Sequence, residues 1–263
     1  MAARARITPR LLLRLLLALV VVVAAVFVIR RLTERPIPPR DLFPYGELRV
    51  GVDPSSPPFA AFAEDGSLFG QEIDLAHALG TQLDLPVRFV PLGFDGLYDA
   101  LKTDQADALI ASLSIDLTRL RDVHYSQPYF NAGLVLVSEN EIRQMEDLPG
   151  HSVAYEFGSE ADSEARTWLR RILAFETRPY ERPTDALDAA RLGDADAALV
   201  DSVSARLYLR DRPEWQPHTR VVTDNLYAVA TQSRRPEISV AIHDALQTLM
   251  DDGTLEKLIA QWM

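Results

Sequence analysis

The chain of 263 residues contains no cysteine and only two lysines, Lys102 and Lys257. Without cysteine it can form no disulfide, no thiolate metal site and no lipid-modified cysteine, and it has no thiol nucleophile. Two lysines leave few candidates for Schiff-base chemistry. The sequence also has no Walker loop and no GxGxxG, GxSxG or HExxH motif. Several large classes of nucleotide-binding and hydrolytic proteins are thereby excluded.

The histidines and paired carboxylates do not predict a catalytic or metal site. None of the five histidines has a second histidine four residues away, the spacing that places two ligands on one helical face. Pairs of acids such as Asp104 with Asp107 fit turns better than an acid/base pair. We therefore expect no metal and no cofactor.

Charge is divided unevenly along the chain. Residues 1–40 hold eight arginines and one acid, whereas residues 41–263 hold 19 basic and 37 acidic residues, a balance of −18 against −11 for the whole chain. Nucleic-acid binding is driven by neutralisation of phosphates, so this acidic body argues against a nucleic-acid partner. The length suits one large domain or two of about 100 to 150 residues.

A long apolar run lies near the N terminus. Residues 11–29, interrupted by Arg14, would form a helix of about 28 Å, just enough to cross a bilayer. We predict a transmembrane anchor over residues 1–32, and the alternative is a signal peptide cleaved near residues 23–25. The proline-rich residues 33–44 predict an extended spacer between the membrane and the body.

From Glu47 onward, strand-like and helix-like segments alternate, which predicts an α/β architecture with largely parallel sheets. One series covers residues 47–112 and a second covers 133–210, which predicts two lobes. The C-terminal helical pattern, residues 238–263, is divided by Gly253 into two helices. The predicted strands are 47–52, 87–90, 107–112, 133–138, 151–156, 196–201 and 226–231, and the predicted helices are 71–83, 95–103, 160–174 and 184–192.

Small hydroxyl residues and an arginine follow the strand predicted at 107–112, in the segment ASLSIDLTRLRDVHYSQPYF (111–130). Open α/β sheets bind ligands at the carboxyl ends of their strands, where Ser112 and Ser114 fall. Arg119 is suited to hold a carboxylate through two parallel hydrogen bonds. The alternative is an ordinary surface arginine on a short helix.

The second series offers complementary groups. The segment FGSE (157–160) begins a helix, where Gly158 and Ser159 can present backbone N–H groups to the same anion or simply cap the helix. The strand in DAALVDS (196–202) ends in Asp201, a carboxylate suited to an ammonium group or to capping the next helix. These residue types indicate a ligand that carries both charges.

Several stretches together resemble the bacterial extracellular solute-binding proteins of family 3, the polar amino-acid receptors of ABC importers. They follow the family's order and spacing over essentially residues 45–263. They are LRVGVDPSSPPF (48–59), GQEIDLAHAL (70–79), FDGLYDAL (94–101), DALIASLSIDLTRLRDVHYSQPYF (107–130), DAALVDS (196–202) and DDGTLEKLIAQWM (251–263).

The resemblance implies a type II periplasmic-binding-protein-like fold, in which two α/β lobes joined by two hinge strands close over a ligand. Lobe 1 would comprise residues 45–131 plus 226–263, and lobe 2 residues 132–225. The hinges would lie near residues 131–133 and 224–227, where they allow the lobes to rotate as rigid bodies.

Matching positions in the family imply roles for the candidate residues. Arg119 would bind the ligand's α-carboxylate together with Ser114 and Ser159. Asp201 and Ser112 would bind the α-ammonium group. These implied roles agree with the charges read independently from the residue types.

Departures from the family pattern bear on specificity. Ser56 stands where many relatives have an aromatic residue, which leaves Phe94 and Phe59 as aromatic walls. Glu160 stands where relatives often have threonine, and Asp53 lies in a neighbouring pocket segment. Further acids in such segments are Glu72 and Glu156. If two of these acids line the pocket, a cationic ligand such as arginine, lysine or ornithine is favoured; otherwise they face solvent.

We therefore expect a monomeric, membrane-tethered receptor outside the cytoplasm that captures a polar amino acid for an ABC permease and performs no chemistry of its own. One alternative is a sensory domain that signals to a separate membrane partner. Another is an enzyme resembling the cyclohexadienyl dehydratases, in which Glu160 or Glu156 would supply the acid.

Overall fold

The computed structural model describes residues 38–139 and 141–263. The predicted anchor, residues 1–32, lies outside the described residues. Of the predicted spacer, residues 38–44 are described, and they contain a short helix at Pro39–Leu42 in place of a fully extended chain. Within the described part, no helix combines the length and apolarity needed to cross a membrane.

Strands and helices alternate along the described chain, as the sequence predicts. In chain order they are α1 (Pro39–Leu42), β1 (Leu48–Val52), β2 (Ser55–Ser56), β3 (Ala60–Phe62), β4 (Leu68–Phe69), α2 (Gln71–Leu83), β5 (Val87–Pro91), α3 (Leu97–Lys102), β6 (Ala108–Leu109), β7 (Val123–Asn131), β8 (Leu134–Ser138), β9 (Ser152–Glu156), α4 (Glu160–Trp168), β10 (Glu176–Tyr180), α5 (Pro183–Leu192), β11 (Ala197–Asp201), α6 (Ser202–Arg210), β12 (His218–Val221), β13 (Leu226–Gln232), α7 (Pro236–Asp251) and α8 (Thr254–Trp262).

Two five-stranded sheets form the framework. Sheet 1 has the order β5-β1-β6-β13-β7 and sheet 2 the order β10-β9-β11-β8-β12. In sheet 1, β13 is antiparallel to both neighbours, and in sheet 2, β8 is antiparallel to both neighbours. The pairs β1 with β5, β1 with β6, β9 with β10 and β9 with β11 are parallel. A small antiparallel sheet of β2, β3 and β4 accompanies them.

Both faces of each large sheet are covered by helices, so the central strands are apolar on both sides. All five residues of β1 are buried. In β8, Leu134 and Leu136 belong to one core cluster, whereas Val135 and Val137 belong to another on the opposite face. Such continuous apolar runs are typical of doubly covered α/β sheets.

The strand directions place the two crossings between the sheets. Strand β7 runs the same way as β6, so its last residue, Asn131, lies at the carboxyl edge of sheet 1. Strand β8 is antiparallel to β11, so Leu134 starts at the carboxyl edge of sheet 2. The return from Val221 to Leu226 joins the same two edges. The carboxyl edges of the two sheets therefore face each other next to both crossings.

The two crossings are packed side by side. The Ala132 N–H donates to the Asn225 carbonyl at 2.8 Å. The Asn131 side-chain oxygen accepts from the Gly133 and Asn225 N–H groups, each at 3.0 Å. A Cβ at Gly133 would overlap the Thr223 carbonyl, so this approach requires glycine.

Most predicted elements are confirmed at or near their bounds. Helix α2 covers residues 71–83 as predicted, and Gly253 separates α7 from α8 with a φ of 75°. The strand predicted at 107–112 is shorter, because β6 contains only Ala108–Leu109. At Ser112 the backbone has a φ of 50°, outside the β region, so the chain turns away from the sheet there.

The helix predicted at 160–174 also ends early, at Trp168. The following chain is drawn into sheet 2, where β10 pairs with β9 and the Glu176 N–H donates to the His151 carbonyl at 2.8 Å. Tertiary pairing therefore overrides local helical preference over residues 169–174 of the prediction.

A buried ion pair lies under sheet 1. Arg49 in β1 is 4% exposed, and its Nε and Nη2 donate to the two carboxylate oxygens of Asp107 at 2.9 and 2.7 Å. The Arg49 Nη1 donates to the Asp104 carbonyl, so all three side-chain nitrogens have acceptors. The hydrogen bond to Asp107 raises the pKa of Arg49. Asp104 and Asp107 thus belong to the turn before β6, as the sequence predicts.

Candidate functional site

The facing carboxyl edges collect most of the predicted site residues. At the edge of sheet 1, Asp53 follows β1, Phe94 follows β5, and Ser112 and Ser114 follow β6. Arg119 ends a short 3-10 turn at Leu117–Arg119, in the chain that leads from this edge back to the start of β7. At the edge of sheet 2, Ser159 and Glu160 follow β9, and Asp201 ends β11.

Arg119 is only partly engaged by the protein. Its Nε donates to an Asp116 carboxylate oxygen at 3.2 Å, and its guanidinium carbon lies 4.0 Å from the ring centroid of Tyr98. Its two Nη groups have no acceptor among the described residues, and the side chain is 48% exposed. In contrast, every side-chain nitrogen of Arg49 has an acceptor. One edge of the Arg119 guanidinium is therefore available to a carboxylate.

The carboxylate of Asp116, which contacts Arg119, is fixed by hydrogen bonds from Thr118. Its Oδ1 accepts from the Thr118 N–H at 2.9 Å and from the Thr118 hydroxyl at 2.6 Å. These bonds, followed by the nearby charge of Arg119, lower the pKa of Asp116. The side chain of Asp116 thus stays ionised and holds only the Nε edge of the guanidinium.

Ser112 is held by a buried acid. Its N–H and hydroxyl donate to Glu72 Oε1 at 2.6 and 3.0 Å, and the Tyr129 hydroxyl donates to the same oxygen at 2.5 Å. Glu72 is 1% exposed, so the alternative in which this acid faces solvent is wrong. Glu72 supports the loop at Ser112, whose hydroxyl oxygen keeps lone pairs for an ammonium donor.

Burial raises the pKa of Glu72, and the nearby Asp53 adds to this effect, although hydrogen bonds from Tyr129 and Ser112 oppose it. A raised pKa in the folded state means that folding takes up protons. The resulting contribution to stability is therefore full below the unfolded-state pKa of about 4.3 and is lost as the pH rises through the folded-state pKa. Glu72→Gln should flatten this decline in the free energy of unfolding, measured by urea denaturation between about pH 4 and pH 8.

The matched control for this prediction is Glu64→Gln, which changes an exposed acid of the same type. That variant should keep the pH profile of the unmodified protein. A Glu72→Gln profile as steep as that of the unmodified protein would contradict the assignment of the slope to Glu72.

Ser114 is brought to the second crossing. Its hydroxyl donates to the Asn225 side-chain oxygen at 2.5 Å, and its backbone bridges to Tyr227. Ser114 remains exposed. The segment after β6 therefore lies directly against the chain that returns from sheet 2.

In sheet 2, Ser159 and Asp201 both cap helices. The Ser159 hydroxyl oxygen accepts from the Asp162 N–H at 3.3 Å, and Asp201 Oδ1 accepts from the Ser204 N–H at 2.8 Å. The capping interpretation is thus confirmed for both residues. It leaves Asp201 Oδ2 without a hydrogen-bond donor among the described residues, so capping and ligand binding are compatible.

Tyr227, which the sequence analysis missed, lies near acidic residues of both lobes. Burial raises its pKa first, and the carboxylates of Glu72, Asp201 and Glu160 raise it further. Two of these acids belong to the edge of sheet 2, whereas Tyr227 is the second residue of β13 in sheet 1. The ring therefore lies within electrostatic range of both edges. In the sequence, the only signal was an aromatic residue at the end of the predicted hinge 224–227.

The aromatic predictions have different outcomes. Phe94 is 54% exposed at the edge of sheet 1. Phe59 is only 4% exposed and packs edge-on against Phe130 and Tyr227, with ring centroids 5.3 and 5.5 Å away. The assignment of Phe59 as an open wall is corrected, because its ring belongs to the core. The sequence analysis also missed Phe157, which is 68% exposed beside Gly158.

The remaining predicted residues lie near the edge of sheet 1 or on α4. Ser56 is half-buried in β2, and its carbonyl accepts from the Phe59 N–H at 2.9 Å. Asp53 Oδ1 accepts from the Ser55 N–H and hydroxyl at 3.1 and 2.7 Å, which fixes a turn. Glu160 is the exposed first residue of α4. Among the described residues, no group of acids and histidines is arranged to hold a metal ion.

Comparisons with known proteins give a consistent result. The family model of bacterial extracellular solute-binding proteins, family 3, matches residues 48–263. The L-cystine-binding protein TcyJ of Escherichia coli (strain K12) is 28% identical over 227 residues, with 82% of each chain covered. The ABC transporter arginine-binding protein 1 of the same strain is 25% identical over 222 residues, covering 82% of this chain and 90% of that protein.

A solved structure shares the fold. The L-cystine solute receptor of Neisseria gonorrhoeae, in its unliganded open conformation, matches with a TM-score of 0.69 at 23% identity. The match covers 82% of this chain and 92% of the receptor. It supports a two-lobed α/β fold of the periplasmic-binding-protein type.

Proposed function

The chain belongs to the bacterial extracellular solute-binding proteins of family 3, and we propose that it binds one free amino acid between the facing edges of its two sheets. Lobe 1 would comprise residues 45–131 plus 226–263, and lobe 2 residues 132–225. The strand composition of the two sheets supports this division, since sheet 2 draws its strands only from residues 134–221.

One observation carries the proposal. Within the part of the chain that the structure describes, Arg119, between Ser114 and the start of β7, has an unpartnered pair of Nη groups, and Asp201, at the edge of sheet 2, has an unpartnered Oδ2. A zwitterion matches this pair, with its α-carboxylate on Arg119 and its α-ammonium group on Asp201. Both would gain charge-assisted hydrogen bonds when the lobes close.

We assign supporting roles to the other predicted residues. The hydroxyls of Ser114 and Ser159 donate to Asn225 and to the Glu156 carbonyl. These two residues would add donors to the α-carboxylate through their backbone N–H groups or by redirecting those hydroxyls, and Ser112 would accept from the ammonium group. The relatives named for cystine and for arginine differ in side chain but share the α-amino acid group. A site built around that shared group is consistent with both.

We assign the ligand's side chain to a pocket with acidic and aromatic walls. Glu160 is exposed at the edge of sheet 2, and its negative charge, like that of Asp201, raises the pKa of Tyr227. Asp53 and Phe94 stand on the opposite edge. This excess of carboxylates favours a cationic side chain, since a carboxylate enclosed by closure needs a positive partner.

The biological role follows from the family. We propose that the two lobes lie outside the cytoplasm, that the protein acts as a monomer, and that the closed, loaded form delivers its amino acid to an ABC permease. The named relatives, including the ABC transporter arginine-binding protein 1, support this role.

The direct test is a calorimetric titration of the full chain with arginine, lysine, ornithine, histidine, glutamine and cystine, with prephenate as the enzyme-substrate arm. We expect at least one amino acid to bind. At a hundredfold excess of that amino acid over Kd, the free energy of unfolding should rise by about 2.7 kcal/mol. Binding of prephenate alone, or of none of these compounds, would contradict the proposal.

Asp201→Asn tests the ammonium site. Asparagine is as good an N-cap as aspartate, so α6 should keep its cap and the protein its stability. Loss of the charge should weaken amino-acid binding by at least about tenfold, because a charged hydrogen bond is worth about 1.5–3 kcal/mol. The control is Asp211→Asn at the exposed C-terminal end of α6, which should bind normally. Equal affinities for the two variants would remove Asp201 from the site.

A further inference from the structure

Tyr98 forms a platform for Arg119. It lies on α3, one helical turn after Phe94, and its ring centroid is 4.0 Å from the guanidinium carbon of Arg119. At this distance the positive guanidinium is attracted to the electron-rich face of the ring. The only other side-chain interaction of Arg119 in the described chain is its Nε contact with Asp116.

The ring of Tyr98 is itself held in place. Its hydroxyl is 3.0 Å from the hydroxyl of Tyr125 on β7, and the two groups share a hydrogen bond. Burial, followed by the neighbouring Tyr125, strongly raises the pKa of Tyr98, so the phenol stays neutral. Tyr98 is thus anchored at its hydroxyl end and presents its face to Arg119.

A cavity lies beside the ring of Tyr98 and the guanidinium of Arg119. Its volume is about 380 Å³, and its lining includes Tyr98, Arg119, Thr118, Asp122 and Lys102. Asp122 is an acidic residue of this lining, and its N–H donates to the Arg119 carbonyl at 2.9 Å. A guanidinium that left the ring to pair with such an acid would lose the free Nη edge on which carboxylate recognition depends.

From these contacts we infer that Tyr98 is a positioning residue, which holds the Arg119 guanidinium against its ring at the cavity wall so that its Nη edge stays free for the ligand's carboxylate. The inference rests on the proposed function, because it assumes that Arg119 binds the carboxylate. Tyr98 itself does not touch the ligand. It lowers the cost of binding because the guanidinium is already oriented when the ligand arrives.

The test compares Tyr98→Leu with Tyr98→Phe in the full chain, using calorimetric titration with whichever amino acid binds. Leucine removes the aromatic face, and affinity should fall by about 3-fold to 30-fold, the range expected for loss of a cation–π contact. Phenylalanine keeps the face, and affinity should change by less than about threefold. The control Tyr125→Phe breaks the same hydrogen bond by removing its other hydroxyl, and it should behave like Tyr98→Phe.

To distinguish the positioning role of Tyr98 from a purely structural one, Tyr98→Leu is repeated in an Arg119→Lys background. Lysine keeps the charge but has no planar group to stack, so Tyr98→Leu should there change affinity by less than about twofold. An equal loss in both backgrounds, or no loss in either, would overturn the positioning role while leaving the Arg119 site intact. If Arg119→Lys binds the amino acid as tightly as the unmodified protein, the carboxylate site itself is wrong.

Discussion

Replacing Arg119 with alanine is expected to weaken amino-acid binding by about 30-fold to several thousand-fold while the unliganded protein stays folded. Removing one partner of a desolvated charge pair costs about 2–5 kcal/mol, because the ligand's carboxylate would be enclosed without its counter-ion. Calorimetric titration measures the loss directly. The side chain is 48% exposed and makes one exposed ion pair, so the free energy of unfolding without ligand should change by less than about 1 kcal/mol.

The matched control is Arg121→Ala, which removes an exposed arginine two residues further along the chain. It should bind amino acids with unchanged affinity. Equal affinity for Arg119→Ala and the unmodified protein would contradict the whole arrangement proposed for the site.

The largest effect on stability is expected from Asp107→Ala. Arg49 is 4% exposed, and the variant would leave its charge buried without the carboxylate that now accepts from its Nε and Nη2. Breaking a buried pair by removing one partner costs about 3–5 kcal/mol, a large part of the 5–15 kcal/mol by which proteins of this kind are stable. Urea denaturation with and without the substitution measures the difference.

Two further variants keep this prediction testable if Asp107→Ala does not fold. Asp107→Asn keeps one acceptor for Arg49 and should lose less stability. The exposed pair of Arg88 with Glu47 is the control, and Glu47→Ala should cost no more than about 1 kcal/mol. A loss of under about 1 kcal/mol for Asp107→Ala would show that the burial of this pair does not decide the stability of lobe 1.

The elements that the sequence predicted correctly have a periodic pattern of apolar residues within their own segment. Helix α2 has apolar residues on one face, and its bounds were predicted without error. The edge strands β10 and β12 were missed, and all four residues of β12 are exposed. A strand without buried residues shows no alternation, so only its pairing with a neighbour identifies it.

The candidate site divides in the same way. Arg119 and Asp201 were proposed from residue type and from their position after or at the end of a strand, which are local properties. The support of Ser112 by Glu72 joins residues 40 positions apart, and nothing in either segment indicates that contact. Phe59 was assigned wrongly because an aromatic residue in a turn looks the same in sequence whether its ring enters the core or the cleft.

The close packing of the two crossings at Gly133 restricts how the lobes can move. Because the crossings are hydrogen-bonded to each other through Asn131 and Asn225, neither can twist independently. We therefore expect the proposed opening and closing of the lobes to follow a single angular coordinate. Any distance between one point on each lobe reports that coordinate. Since the chain contains no cysteine, two introduced cysteines carrying spin labels or dyes would be its only thiol-reactive positions, and one pair would follow the whole motion.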